Sequence, residues 1–147
     1  MASCSYNFSN IFNREKENME EQLISFETAK LAKEKGFNIA TFYGYNSKGL
    51  IQEYFTHASY APGEPEIRLH EFLNIWEYQA PTQFLLQKWL RTTHNHFITV
   101  IKESHNEYFC EEYDELLGGM VLFLVTDYET YEDALEAGLY EALKLIK

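Results

Sequence analysis

Between Thr130 and Lys147 the apolar residues Ala134, Leu135, Leu139, Ala142, Leu143 and Ile146, with Gly138 among them, recur at spacings of three and four. That period belongs to a helix laid with one side on a neighbour, and its small residues mark the closest approach. Thr130 caps it, and Asp133 three residues on makes a capping box with Asp in place of Glu. Glu132, Glu136 and Glu141 are expected to face water. Upstream, "MVLFLVTDY" at 120–128 is apolar almost throughout. Such a run predicts a central strand covered on both faces, or one covered on one face and paired to a partner. "HFITVIKE" alternates, "SHNE" turns and "YFCEEYDEL" returns, so a hairpin precedes it, with Gly118-Gly119 as the second turn.

"APTQFLLQKWLRTTHN" predicts a helix with Pro81 at its first position, where a missing N–H costs nothing. Leu85, Leu86, Trp89 and Leu90 form its buried stripe. "SFETAKLAKEKGF" predicts another, capped by Ser25 and ended by Gly36, with Phe26, Ala29 and Ala32 on one face. Two β-rich runs, 39–45 and 50–56, flank the turn residues Asn46 to Gly49 and read as a hairpin. Pro62, Gly63 and Pro65 make 57–71 a loop, followed by a short strand or connection at about 72–78. Residues 1–18 read as a flexible N-terminal arm and 19–147 as a single α+β domain. Its expected architecture is a mostly antiparallel sheet of about five strands with three helices packed on it.

Composition narrows the role. The 147 residues carry 23 acids against 12 bases, a formal charge of −11. Broad contact with a phosphate backbone needs clustered Lys and Arg, and anionic membrane needs the same. An acidic surface suits solubility or a basic partner. The 11 Tyr and 11 Phe fill cores, and Tyr also covers surfaces that meet partners. A protein partner or self-association is therefore expected. Cys4 and Cys110 form no disulfide framework, no apolar run reaches the ~18 residues of a membrane span, and the N-terminus lacks the pattern of a secretion signal. A reducing cytoplasm is the expected location.

Candidate chemistry is sparse. His94 and His96 are the metal-like pair: alternate residues of a strand share a face, and Cys110 or Glu112 on the paired strand is the possible third ligand. Against this, histidines are favoured at helix C-termini for their charge, and no metal is assigned. His57-Ala58-Ser59 has the H-x-[ST] form of two-histidine phosphoesterases, which need a second copy that the chain lacks. Cys110 with His94 or His105 would make a nucleophile pair, but neighbouring acids raise a thiol's pKa, so a buried strand cysteine is the default. The acid-rich runs 111–115 and 127–133 sit at a strand end and a helix cap, where acids are commonplace. No phosphate loop, Walker pattern or dinucleotide fingerprint occurs. Neither catalytic residues nor a cofactor is expected.

Two resemblances add to this. Residues 81–147 are similar in element order to a double-stranded RNA-binding domain, which grips RNA through lysines at the start of its last helix and a histidine loop. Here that first turn is Tyr131-Glu132-Asp133, and His105 sits between Glu103 and Glu107, so the likeness implies the fold and nucleic acid remains an unfavoured partner. Secondly, "ISFETAKLAKEKGF", "APTQFLLQKWLRTTHN" and "YETYEDALEAGLYEALKLI" resemble a group of small uncharacterised proteins from gut bacteria and their phages. The likeness covers about 50 residues and implies a phage or prophage accessory protein without catalysis. The expected function is a non-enzymatic, acidic protein-binding module. Alternatives are a phage counter-defence factor, acting as a nucleic-acid mimic or sequestering a nucleotide through Arg68, Lys88, Arg91 and Lys102, and a metal-dependent or two-histidine hydrolase.

Overall fold

A computed structural model describes residues 21–53, 76–103, 107–114 and 119–147. Its elements are α1 (Phe26–Glu34), β1 (Tyr43–Tyr45), β2 (Ile51–Glu53), β3 (Tyr78–Gln79), α2 (Gln83–His94), β4 (Ile98–Lys102), β5 (Tyr108–Asp114), β6 (Met120–Tyr128) and α3 (Tyr131–Leu145). The class is α+β. In place of one sheet of about five strands, six strands form two three-stranded antiparallel sheets, ordered β2-β1-β3 and β4-β5-β6. The expected arm at 1–18, the loop at 57–71, His57, Arg68 and His105 lie outside the described residues. Among the described residues, no helix is long and apolar enough to cross a membrane.

The helix ends follow local chemistry. The Ser25 hydroxyl accepts from the Thr28 amide and opens α1, and Gly36 takes a left-handed φ of 90° just beyond its end. Thr82, not Pro81, caps α2 by accepting from the Leu85 amide. Pro81 stands one residue outside the helix, where its carbonyl accepts from the Ile24 amide and ties α2 to the segment before α1. Asn95, at φ 59°, closes α2. Thr130 accepts from the Asp133 amide, the cap expected for α3, while the Asp133 carboxylate accepts from the Thr130 hydroxyl and not from its backbone N–H as a full capping box would have it.

One core joins these elements. Of the seven stripe positions, Ile146 caps the end of α3 and is half-buried, while Ala134, Leu135, Gly138, Leu139, Ala142 and Leu143 are buried. They lie on the sheet β4-β5-β6, with Gly138 directly over Cys110 and Ile98. Leu86, Trp89 and Leu90 of α2 and Ala29 and Ala32 of α1 complete the cluster. The first sheet joins at its aromatic side, where the Phe26 ring meets Tyr45 and Tyr78 edge-on at 5.4 and 5.5 Å.

The second sheet departs from expectation in one respect. Among the described residues the apolar β6 is an edge strand, and the acid-bearing β5 is central. α3 covers one face of β6 and leaves Val121 and Leu124 about half exposed on the other. Two irregularities interrupt its ladder, between Glu112 and Tyr113 and between Tyr108 and Cys110 of β5. In each, β6 carries one residue more than β5.

Candidate functional site

The histidines of the metal-like pair do not share a strand. His94 ends α2, Asn95 turns the chain, and β4 begins only at Ile98. The His94 ring packs edge-on against Trp89 at 4.5 Å, and its Nε2 is buried without a hydrogen-bond partner. Burial holds its pKa below the ordinary imidazole value, and the neighbouring His96 adds to that. His96 turns to the sheet, where its Nδ1 lies 2.6 Å from Oε1 of Glu112, which also accepts from the Phe97 amide at 3.1 Å. Glu112 is 1% exposed. These contacts pin the α2–β4 connection to the middle of the sheet. The solvated helix-end histidine is thus replaced at His96 by a buried hydrogen bond. Among the described residues, no group of three or more His, Cys, Asp or Glu is arranged to hold a metal ion.

Cys110 is fully buried beneath Gly138. Burial, reinforced by the Glu111 carboxylate, pushes its thiol up to about 12. At neutral pH it is a protonated packing group with none of the thiolate a nucleophile needs. Glu111 and Glu112, expected at a strand end, lie inside the central strand, and Glu111 holds the Tyr113 hydroxyl at 2.9 Å.

The remaining acids gather where the sequence did not bring them together. A groove of about 730 Å³ runs between the N-terminus of α1, one flank of α3 and the end of β6. Glu27, Asp127, Glu129, Asp133, Glu136 and Glu141 line it together with Tyr128 and Tyr140, and among the described residues no Lys or Arg does. Each element places its share for a local reason. Asp133, Glu136 or Ala137, and Tyr140 or Glu141 follow one another at helical spacing beside the buried stripe. Asp127 takes a φ of 70° where the end of β6 is irregular, and Glu129 follows in the turn to α3.

The carboxylates are unequal. Glu136, expected in water, is half-buried and bonded through both oxygens. Its Oε1 accepts from the Ser25 amide at 2.8 Å and the Thr28 hydroxyl at 2.6 Å, and its Oε2 accepts from the Gln83 side chain at 3.1 Å. It is a clamp holding α1 and α2 to α3. At the rim, Glu27 pairs with Lys30 at 3.1 Å and Glu141 with Lys144 at 2.8 Å, each three residues along its own helix. Asp133 accepts from Thr130 and Asp127 from Thr126. Of the cations considered for nucleotide capture, Lys88, Arg91 and Lys102 are exposed on α2 and β4, away from this lining.

The run 127–133 signalled part of the groove. The parts from α1 and the middle of α3 carried no comparable signal beyond a second, polar row beside the α3 stripe. Compared with protein-family models, curated proteins and solved structures, the chain finds no match.

Proposed function

We propose that the protein is a non-enzymatic binding module whose acidic groove receives a basic segment of a protein partner. The observation that carries this reading is the groove's one-sided lining: among the described residues, six carboxylates, one of them Glu136 held as the clamp, and no Lys or Arg around about 730 Å³. Asp133 and Glu136, three residues apart on α3, are roughly 4.5 Å apart along the helix axis, inside the ~8 Å screening length at physiological salt, so their fields add. The two rim lysines are poor competitors, because an exposed helical pair is worth only about 0.3–0.5 kcal/mol. An incoming guanidinium displaces them cheaply and finds the rings of Tyr128 and Tyr140 to stack on. The same lining disfavours nucleotide sequestration, since it offers a phosphate no cation. The wider role is a cytoplasmic accessory protein of phage or prophage type, with occupation of a basic site on a host protein as the counter-defence version of the same contact.

The test is binding of an arginine-rich peptide followed by fluorescence anisotropy. Affinity is expected to fall several-fold between low and moderate salt and again in E129Q/D133N. The charge-matched variant E103Q/E132Q, altered at exposed positions outside the groove lining, is expected to bind as the parent does. Equal weakening by both double variants would show binding to net charge alone and remove the groove from the account.

A further inference from the structure

The sheet β4-β5-β6 has a second face, turned away from α3. Cys110 and Glu112 point inward, to Gly138 and His96, so alternation along β5 turns Phe109, Glu111 and Tyr113 outward. Their register partners are Ile101 for Phe109, Thr99 and Leu124 for Glu111, and Val121 for Tyr113. Phe97 precedes the inward Ile98 and shares the outer side. Leu124, Phe97, Val121 and Tyr113 are 54%, 53%, 47% and 44% exposed. Among the described residues the carboxylate within this face is that of Glu111, 8% exposed and occupied by the Tyr113 hydroxyl.

We propose that this face is the contact between two copies of the chain, stacked sheet on sheet about a two-fold axis. Three observations select a second copy in this arrangement. The first is charge. A chain at −11 repels its own kind wherever carboxylates meet, and its acidic groove lies on the helical side. Outer face on outer face, two β-layers and two helical layers spaced by roughly 10 Å each set the helix-borne acids of the two grooves about 30 Å apart, several screening lengths. Glu103 and Glu107, exposed at the hairpin end, go to opposite ends when the strands of the two copies run antiparallel. A basic partner, by contrast, finds here a Glu111 carboxylate that is nearly buried and already held by the Tyr113 hydroxyl.

The second is the edge. An apolar nine-residue edge strand invites pairing with another strand, but the two extra residues in β6 break its regular ladder. That leaves the face, and a right-twisted sheet is matched by one of the same twist, aligned at about −30°. The third is area. Three strands at about 4.8 Å and six residues at about 3.3 Å outline roughly 15 by 20 Å. With side-chain relief this buries on the order of 1,000 Å² in total, the lower end of specific interfaces. The dimer is therefore one that dissociates on dilution.

Light scattering and sedimentation across a dilution series read the mass directly. Twice the 17.4 kDa chain mass is expected at high-micromolar concentration, falling towards one chain below micromolar. Added salt should strengthen the dimer, the opposite of its effect on a basic ligand in the groove. L124K and T99K should each give monomer with unchanged circular dichroism, while F84K, at an exposed position on α2, leaves the dimer intact. T99K lies on β4 and also separates face stacking from pairing through the β6 edge. A mass of one chain at every concentration, or a dimer indifferent to T99K, overturns the proposal.

Discussion

Replacing Gly138 by Ala tests how closely α3 lies on the sheet. In an exposed helix interior this change stabilises by about 1 kcal/mol, because glycine surrenders more backbone freedom on folding. At this position the added methyl would stand 2.2 Å from Sγ of Cys110 and 3.2 Å from both Cβ of Cys110 and Cγ2 of Ile98. An ordinary carbon contact is about 3.5–4.0 Å, so the sulfur must retreat by more than an ångström or the helix must lift. Cys110 and the flanking Leu139 are fully buried, which leaves neither group open space to move into. Overpacking of this kind costs about 1–3 kcal/mol beyond any propensity gain. For a chain of this length that is a fall in melting temperature of roughly 2–4 °C per kcal/mol. Urea denaturation of G138A, C110A and the double variant isolates the cause. In the C110A background the sulfur is gone, so G138A should be neutral or stabilising, with a coupling of at least about 1 kcal/mol. G138A as stable as the parent, or equally damaging without the sulfur, would refute the close approach.

Three further outcomes are expected. Glu136→Ala removes the acceptor for Ser25, Thr28 and Gln83. It should cost about 1.5–3 kcal/mol, as loss of hydrogen bonds to a charged group does, with faster amide exchange over the first turn of α1 as the specific signature. In a Cys4→Ser background, Cys110 should react with a thiol reagent only as fast as the protein opens. Its pKa is raised in the fold, so the unfolded chain loses the proton first, and stability should decline from about pH 8.5 upwards towards 12. His94 is shifted the other way. Its pKa is lowered in the fold, the unfolded chain binds the proton first, and stability should fall as pH drops through about 6.5. His94→Gln should flatten that slope in pH-dependent urea melts.

What the sequence disclosed depended on whether the cause was local. The α3 stripe, the Ser25 and Thr130 caps and the Asn46–Gly49 turn rest on interactions within a few residues, and each stands where its pattern put it. The order of strands rests on partners far along the chain. An apolar run signals burial and says nothing of how many neighbours a strand has, so of the two expectations for β6, cover on both faces fails, while cover by α3 on one face stands. Conversely, the two adjacent glutamates of β5 look like a strand end. They are tolerated in the central strand because His96, the Phe97 amide and Tyr113 meet them, and none of these partners is marked in the local pattern. His96 was readable as one of a pair with His94, but only the helix boundary at Asn95 decides that the two rings part.

Beyond the run 127–133 the groove was illegible for the same reason, and its position bears on both proposals. Glu27 and Glu141 belong to helices at opposite ends of the chain and meet only because α3 packs against α1. That packing is secured by Glu136, a carboxylate spent on structure at the floor of a site whose other carboxylates remain available. One helix thus has two differently employed sides: small and aliphatic residues on the sheet, and acids with Tyr140 along the groove. The sheet beneath it separates that wet, charged side from the apolar outer face. A basic ligand and a second copy therefore approach from opposite directions, and neither obstructs the other. Occupation of the groove should leave the dimer constant unchanged, apart from the relief of repulsion that added salt also gives. A basic peptide that dissociates the dimer at fixed ionic strength would show that the two surfaces are not separated as this arrangement requires.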